Sequence, residues 1–207
     1  MANLTLQCGC GTVTGVVHDV SPAKGNYIAC YCNDCRAFAR YLGHADETLD
    51  EFGGTRIFQT VSAWVHFNDG RDRLACLKLS PKGILRWYAG CCRTPIGNTL
   101  GSPTLPFVGL VHTCLKDGPD GVTCDAAMGP LLGAVFTRSA RGDSSAQKPT
   151  EMKILPLMTR FARFMLMARL RGDHKRSPFF GPDGKPMAVP HVLSEEERAS
   201  AYGGLHQ

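Results

Sequence analysis

CYCNDCRAFARYLG, residues 30–43, sets three cysteines into six positions: Cys30, Cys32 and Cys35. Thiols that close together hold a metal ion, join as a disulfide or fill a core, and the choice decides what kind of fold surrounds them. A C-x-C or C-x-x-C turn bends its backbone around one ion, so three sulfurs of one short segment can take three corners of a tetrahedron. The fourth corner then comes from elsewhere or stays open. Closed four-ligand sites are structural, whereas three protein ligands with an exchangeable position are typical of catalysis. Beyond the cysteines, DCRAFARYLG places apolar residues at helical spacing up to Gly43, which predicts a short helix ending there.

Working outward, the first ~115 residues read as mainly β. GTVTGVVHDV alternates small and β-branched residues and is followed by the turn SPAKGN. RIFQTVSAWVHF runs to the turn signal NDG, RDRLACLKLS runs into PKG, and ILRWYAG follows. Short apolar runs with such punctuation predict an antiparallel meander. LPFVGLVHTCL reads as a further strand, buried on both faces.

Seven of the ten cysteines fall into three motifs: Cys8-x-Cys10, Cys30-x-Cys32-x-x-Cys35 and the adjacent pair Cys91-Cys92. Cys76, Cys114 and Cys124 are isolated, and the first two lie in predicted strands, where a small apolar thiol is ordinary filler. The arithmetic favours two ions. Cys8, Cys10, Cys91 and Cys92 supply up to four ligands, with Cys91 the weakest because adjacent residues chelate one ion awkwardly. Cys30, Cys32 and Cys35 remain as a three-thiolate site. One ion with spare thiols, or a redox dithiol at Cys32 and Cys35, are the alternatives. A redox dithiol of this spacing usually opens a helix in a βαβ unit, and no such unit is visible.

A chain of 207 residues can bury an ordinary core without staples. Hydrophobic content of 43% and charged content of 20% belong to a globular protein. The N-terminal stretch MANLTLQCGCGTVTG shows no basic and apolar leader, so a cytoplasmic location is expected and Asn3-Leu4-Thr5 is not read as a glycosylation site. In a reducing compartment, clustered cysteines favour metal over structural disulfides. The net charge of +5 sits in one place: from Glu151 to Pro190 there are eight Lys/Arg and three acids, a difference of +5. The cysteine-rich part is close to neutral, which argues against a nucleic-acid partner.

The chain divides on this reading into a β domain over 1–116, a loop region over 117–150 and a basic helix with an extended tail over 151–207. In MKILPLMTRFARFMLMARLRGDHKR, Lys153, Arg160, Arg163 and Arg171 share one side at 100° per residue and Arg169 breaks the pattern, and four Lys/Arg within about 20 residues argue against a transmembrane span. Two readings remain for residues 152–171. Either the helix docks on the β domain with its basic side in solvent, or it contacts an anionic membrane surface.

The three motifs resemble the glutathione-dependent formaldehyde-activating enzymes, a family that includes centromere-protein-V-like proteins. CGCGTVTG is similar to that family's C-x-C-G block, CYCNDCRAFARYLG to its C-x-C-x-x-C-R block with Arg36 in the arginine position, and SPKGILRWYAGCCRTPIG to its third block. The third departs from the pattern: Ala89 stands in the first cysteine position and Arg93 in the glycine position. The resemblance covers about residues 4–115. It implies an antiparallel β-tent zinc fold with a structural zinc on the outer blocks and a catalytic zinc on Cys30, Cys32 and Cys35. The implied activity is that of a carbon–sulfur lyase making and breaking the adduct of glutathione and formaldehyde.

Three thiolates over-neutralise a divalent ion, which suits it to binding another thiol as thiolate better than to producing hydroxide. Arg36 or Arg40, one helical turn apart, is a candidate to hold an anionic thiol substrate; the alternative for each is an exposed, solvated side chain. The competing function is a non-enzymatic zinc module whose sites are both closed.

Overall fold

The computed structural model of the protein describes residues 2–142 and 149–203. Met1, residues 143–148 of the expected loop region and residues 204–207 of the tail lie outside the described residues.

The chain is mainly β, with two sheets and a few helices. Strands β1 (Ala2–Gln7) and β2 (Thr14–Val20) form a hairpin, and β3 (Asn26–Cys30) leads into helix α1 (Asn33–Leu42) and the short α2 (Ala45–Thr48). The meander follows as β4 (Thr55–Val61), β5 (Val65–Asp69), β6 (Leu74–Lys78), β7 (Leu85–Ala89), β8 (Pro95–Thr99), β9 (Phe107–Val111) and β10 (Leu115–Lys116). The remaining elements are α3 (Cys124–Met128), β11 (Ala134–Val135), α4 (Ile154–Leu170), β12 (His191–Val192) and α5 (Glu195–Tyr202). One sheet has the order β10-β1-β2-β5 and the other β11-β3-β4-β9-β8-β7-β6-β12; neither closes into a barrel. Their pairings are antiparallel except where β11 joins β3 and β12 joins β6.

RIFQTVSAWVHF is two strands rather than one run. The backbone N–H of Ser62 donates to the Pro106 carbonyl at 2.7 Å, a 3₁₀ turn over Ser62–Trp64 follows, and β5 continues in the other sheet. A hydrophobic pattern cannot signal this crossing, because both strands bury the same kind of face. The main core lies between the sheets, from Leu4, Leu6 and Val17 on one side to Trp87, Ile96 and Leu110 on the other.

The C-terminal third is woven into the same body. Phe179 is fully buried against Phe67 and Trp87, at ring-centroid distances of 5.6 and 5.2 Å. α1 lies on the outer face of the large sheet, where Ala37, Phe38 and Leu42 pack with Leu77 and Leu79, and α5 adds Ala201 to that cluster.

α4 docks through Leu157, Phe161, Phe164, Met165 and Ala168. Lys153, Arg163, Arg169 and Arg171 are exposed, as expected for a docked helix with its basic side in solvent, and Arg160 alone turns inward. Arg160 donates to Asn26 Oδ1 and to the carbonyls of Pro22 and Gly25. The outward side also carries Leu155, Met158, Leu166 and Leu170, all exposed.

Candidate metal centre

The N-terminal motif forms a knuckle because Gly11 adopts φ +78° and returns its N–H to the Cys8 carbonyl at 3.0 Å, a conformation a side chain would strain. A second knuckle sits between β7 and β8. There Arg93 takes the left-handed conformation at φ +61° and donates its N–H to the Ala89 carbonyl at 2.7 Å. The two knuckles face each other. Sγ of Cys8 lies 3.6 Å from that of Cys10 and 3.9 Å from that of Cys91; Cys10 and Cys91 are 3.4 Å apart, and Cys91 and Cys92 3.9 Å. All four sulfurs fall within 4.8 Å of one another and could hold one ion. Adjacent cysteines thus reach a common point, with Arg93 absorbing the awkward backbone.

Two further groups hold this cluster. Thr94 Oγ1 accepts from the Gly9 N–H at 2.9 Å and lies 3.1 Å from Cys92 Sγ, and the Val13 N–H donates to Cys8 Sγ. The charges are uneven. Cys92 is drawn down to about 6: desolvation opposes ionisation, and hydrogen bonds from Thr94 and Cys10 outweigh it. Cys91 is pushed up to about 12 by desolvation and by its bonds to Cys10 and Cys8. Four packed thiols cannot all ionise unless a cation joins them.

The second cluster sits where β3 passes into α1. Cys30 ends the strand, Cys32 is the helix N-cap and accepts from the Cys35 N–H at 3.3 Å, and Cys35 occupies the first turn. Sγ of Cys30 is 3.4 Å from that of Cys32 and 3.7 Å from that of Cys35, and all three lie within 4.8 Å of one another. Disulfide bonds would need about 2.05 Å, and these cysteines are free. Among the described residues, no fourth Cys, His, Asp or Glu joins the group. Cys30 and Cys35 are 6% and 8% exposed, and Ile57, Val135, Met152 and Leu157 pack around them.

The three thiols differ in how readily they ionise. Cys35 is held well below the usual thiol range by its side-chain bonds with Cys30 and Cys32, against desolvation and with help from Arg86. Cys32 accepts from Cys30, yet its bond to Cys35 and its burial push it up to about 12, and Cys30 is raised by its bonds to Cys32 and Cys35 and by burial. The helix N-terminus adds its partial positive charge to the same corner.

Arg86 is the residue the sequence reading missed. Its guanidinium, 3% exposed, places Nη1 4.0 Å from Cys35 Sγ and 3.1 Å from Asn98 Oδ1, and Nη2 3.5 Å from Asp34 Oδ2. The signal was available: a lone arginine in the apolar strand ILRWYAG, flanked by Leu85 and Trp87. Arg36 is placed differently from either expectation. It is 1% exposed, so it is not solvated, and its donors go to Asn33 Oδ1 and to the carbonyls of Phe52, Gly53 and Ser139. These contacts clamp two loops to α1. Arg40 donates to the carbonyls of Tyr202 and Gly203. The shallow cleft of about 430 Å³ beside both arginines is also lined by Asp46, Asp50 and Glu51, so it presents no clear anion field.

The two clusters lie at opposite ends of α1. Arg93 donates from Nη2 to the Tyr41 carbonyl and from Nε to the Leu42 carbonyl, at the end of the helix whose start holds Cys32 and Cys35. His44 Nε2 lies 2.9 Å from the Cys92 carbonyl oxygen. The isolated Cys76 and Cys114 are buried in the main core, where burial pushes both thiols up to about 12.

Among the described residues, no helix is long and apolar enough to cross a membrane. No curated protein matches the chain. The two cysteine clusters, and the C-terminal segments that wrap one of them, lie within the span of a single family model covering residues 1–190, and the chain belongs to that family, a family of unknown function (DUF6151).

Proposed function

We propose that the protein is a two-zinc carbon–sulfur lyase acting on a thiol–aldehyde adduct of the glutathione–formaldehyde type, on a β-tent scaffold. A zinc ion bound by sulfur at about 2.3 Å in a tetrahedron sets neighbouring sulfurs about 3.8 Å apart. The separations of 3.4–3.9 Å for Cys8–Cys10, Cys8–Cys91, Cys10–Cys91 and Cys91–Cys92, and of 3.4 and 3.7 Å from Cys30 to Cys32 and Cys35, fit that spacing, and every other pair lies within 4.8 Å. Cys8, Cys10, Cys91 and Cys92 would hold a structural ion, and Cys30, Cys32 and Cys35 a second one.

The observation that carries the reading is the three-thiol group with no fourth protein ligand among the described residues, beside a buried arginine. When bound there, zinc supplies acidification of an incoming thiol, whose free pKa is about 8.5. Arg86 supplies the counter-charge, because a dication with three thiolates carries a net −1. Asp34 and Asn98 hold the guanidinium in place. Val135, Met152 and Leu157 keep bulk water from the sulfurs. In the reaction, the substrate sulfur adds to the aldehyde carbon, the carbonyl π pair moves to oxygen, and that oxygen takes up the proton the thiol released. The reverse sequence breaks the carbon–sulfur bond. We assign Arg36 to positioning: it fixes the loops that flank α1.

A second reading is a non-enzymatic zinc module, favoured by the burial of Cys30 and Cys35 under residues of the C-terminal third. Zinc-edge absorption with and without glutathione separates the two. The lyase reading expects sulfur coordination to rise at one site on adding the thiol, and exchange between glutathione, formaldehyde and their adduct to be accelerated by the protein but not by Cys32→Ser. Two sites closed by protein ligands, with no acceleration, would sink it.

A further inference from the structure

α4 presents an apolar face that no other described residue covers. At 100° per residue, Leu155, Ala162, Leu166 and Leu170 fall within roughly 80° of one another, opposite the side that docks through Leu157, Phe161, Phe164, Met165 and Ala168. Leu155 and Leu170 are 75% and 74% exposed, and Leu166 and Met158 59% and 52%. Arg163 and Arg169 border this stripe on its two sides, and Ile154–Leu170 contains no acidic residue.

Next to the stripe lies a pocket of about 200 Å³ whose floor is Trp64, Phe164 and Met167 and whose rim carries Lys24, Arg163 and Arg171. No carboxylate lines it. Lys24 is paired with Asp19 at 3.0 Å, which leaves the two arginines as the net charge of the rim.

Apolar side chains at the centre with cations at both edges are the pattern of a helix lying in the interface plane of an anionic bilayer. The alternative occupant is a second copy of this chain. Pairing of α4 with itself would bring two arginine-bordered stripes together with no acid on either helix to compensate, and like charges in an interface are repulsive. We infer that α4 seats the protein on the surface of an anionic phospholipid membrane, with Leu155, Leu166 and Leu170 in the acyl boundary and the Lys24–Arg163–Arg171 rim receiving a lipid phosphate.

The test is co-sedimentation of the full chain with vesicles of phosphatidylcholine alone and of equal parts phosphatidylcholine and phosphatidylglycerol. Binding is expected to the anionic vesicles and to weaken as salt is raised. Arg163→Gln should weaken it about fivefold, the worth of one charge near such a surface, and Leu155→Ser with Leu166→Ser should weaken it at least about tenfold. Both variants alter exposed positions, and unchanged circular dichroism spectra show that they fold. No binding, equal binding to both vesicles, or binding indifferent to the leucine pair overturns the proposal. So does a dimer in light scattering that Leu166→Ser disperses, which gives the face to a second copy.

Discussion

Arg86 and Cys35 meet beneath the N-terminus of α1, with Nη1 of the arginine 4.0 Å from Sγ of the cysteine. They are 51 residues apart in sequence, and β7 brings them together by passing under the helix. A guanidinium buried this deeply costs several kcal/mol in desolvation unless an opposite charge compensates it. Three thiolates around a dication are such a charge. Replacing Arg86 by Met should therefore weaken metal binding at the three-cysteine site by about 10–100-fold, while Arg86→Lys restores part of it. Competition with a chromogenic chelator measures this, with the four-cysteine site as internal reference.

Each cluster should account for one bound ion. Cys32→Ser is expected to lower the metal content of purified protein from two ions to one, and Cys10→Ser to do the same at the other cluster. The consequences for stability differ. An ion held by the four-cysteine cluster would tie residues 8–10 to residues 91–92, closing a loop of more than 80 residues, and its binding free energy would add directly to folding. Cys10→Ser should lower the melting temperature more than Cys32→Ser does. Cys124→Ser, outside both clusters, should leave two ions.

The cysteine motifs were legible because metal-ligand spacing is local: C-x-C and C-x-x-C write the geometry into adjacent residues. The helix after Cys32 was legible for the same reason, down to its glycine cap at Gly43. The grouping of Cys8 and Cys10 with both Cys91 and Cys92 was only partly so, since acceptance of Cys91 depends on the left-handed turn at Arg93. Arg86 was legible only as a lone charge in an apolar strand, because sequence does not show which groups the fold brings against it. The C-terminal third was the least legible. Phe179 reads as part of a Pro/Gly-rich tail, yet it occupies the centre of the core, and a few apolar residues in an irregular segment have no period to betray them.

That burial sets a further expectation. Phe179 is 0% exposed and packs edge-on to Phe67. Truncating a buried phenylalanine to Ala costs about 3–5 kcal/mol through lost contacts and the cavity left behind. Phe179→Ala should therefore destabilise the whole protein by that amount in urea unfolding, with one cooperative transition. Separate melting of a C-terminal unit would contradict the shared core.

Glu197 carries a pH dependence that can be read at one bond. Its carboxylate accepts from the Ser194 N–H at 2.8 Å and from His191, and Tyr41 donates to it at 3.1 Å. These contacts, the backbone bond first, hold it below the ordinary value of 4.5. For a carboxylate depressed in the folded state, the stabilisation is complete above the unfolded pKa and is lost as pH falls through the folded one. The Ser194 amide shift should show an acid transition centred below 4.5. In Glu197→Gln the transition should vanish.

Arg93 combines a backbone cost with two side-chain contacts, and substitutions can separate them. A non-glycine residue in the left-handed region is disfavoured by roughly 1–2 kcal/mol, and Arg93 sits there at φ +61°. Against that, its guanidinium donates to the carbonyls of Tyr41 and Leu42 and lies 5.0 Å from the centre of the Tyr41 ring. Arg93→Gly gives up the contacts but relieves the strain, so its stability should stay within about 1 kcal/mol of the parent. Arg93→Ala gives up the contacts and keeps the strain, and should be the less stable of the two by about 1 kcal/mol. Urea titration of the metal-loaded proteins resolves this difference. The opposite ranking would mean that the turn holding Cys91 and Cys92 is set by the ion rather than by residue 93.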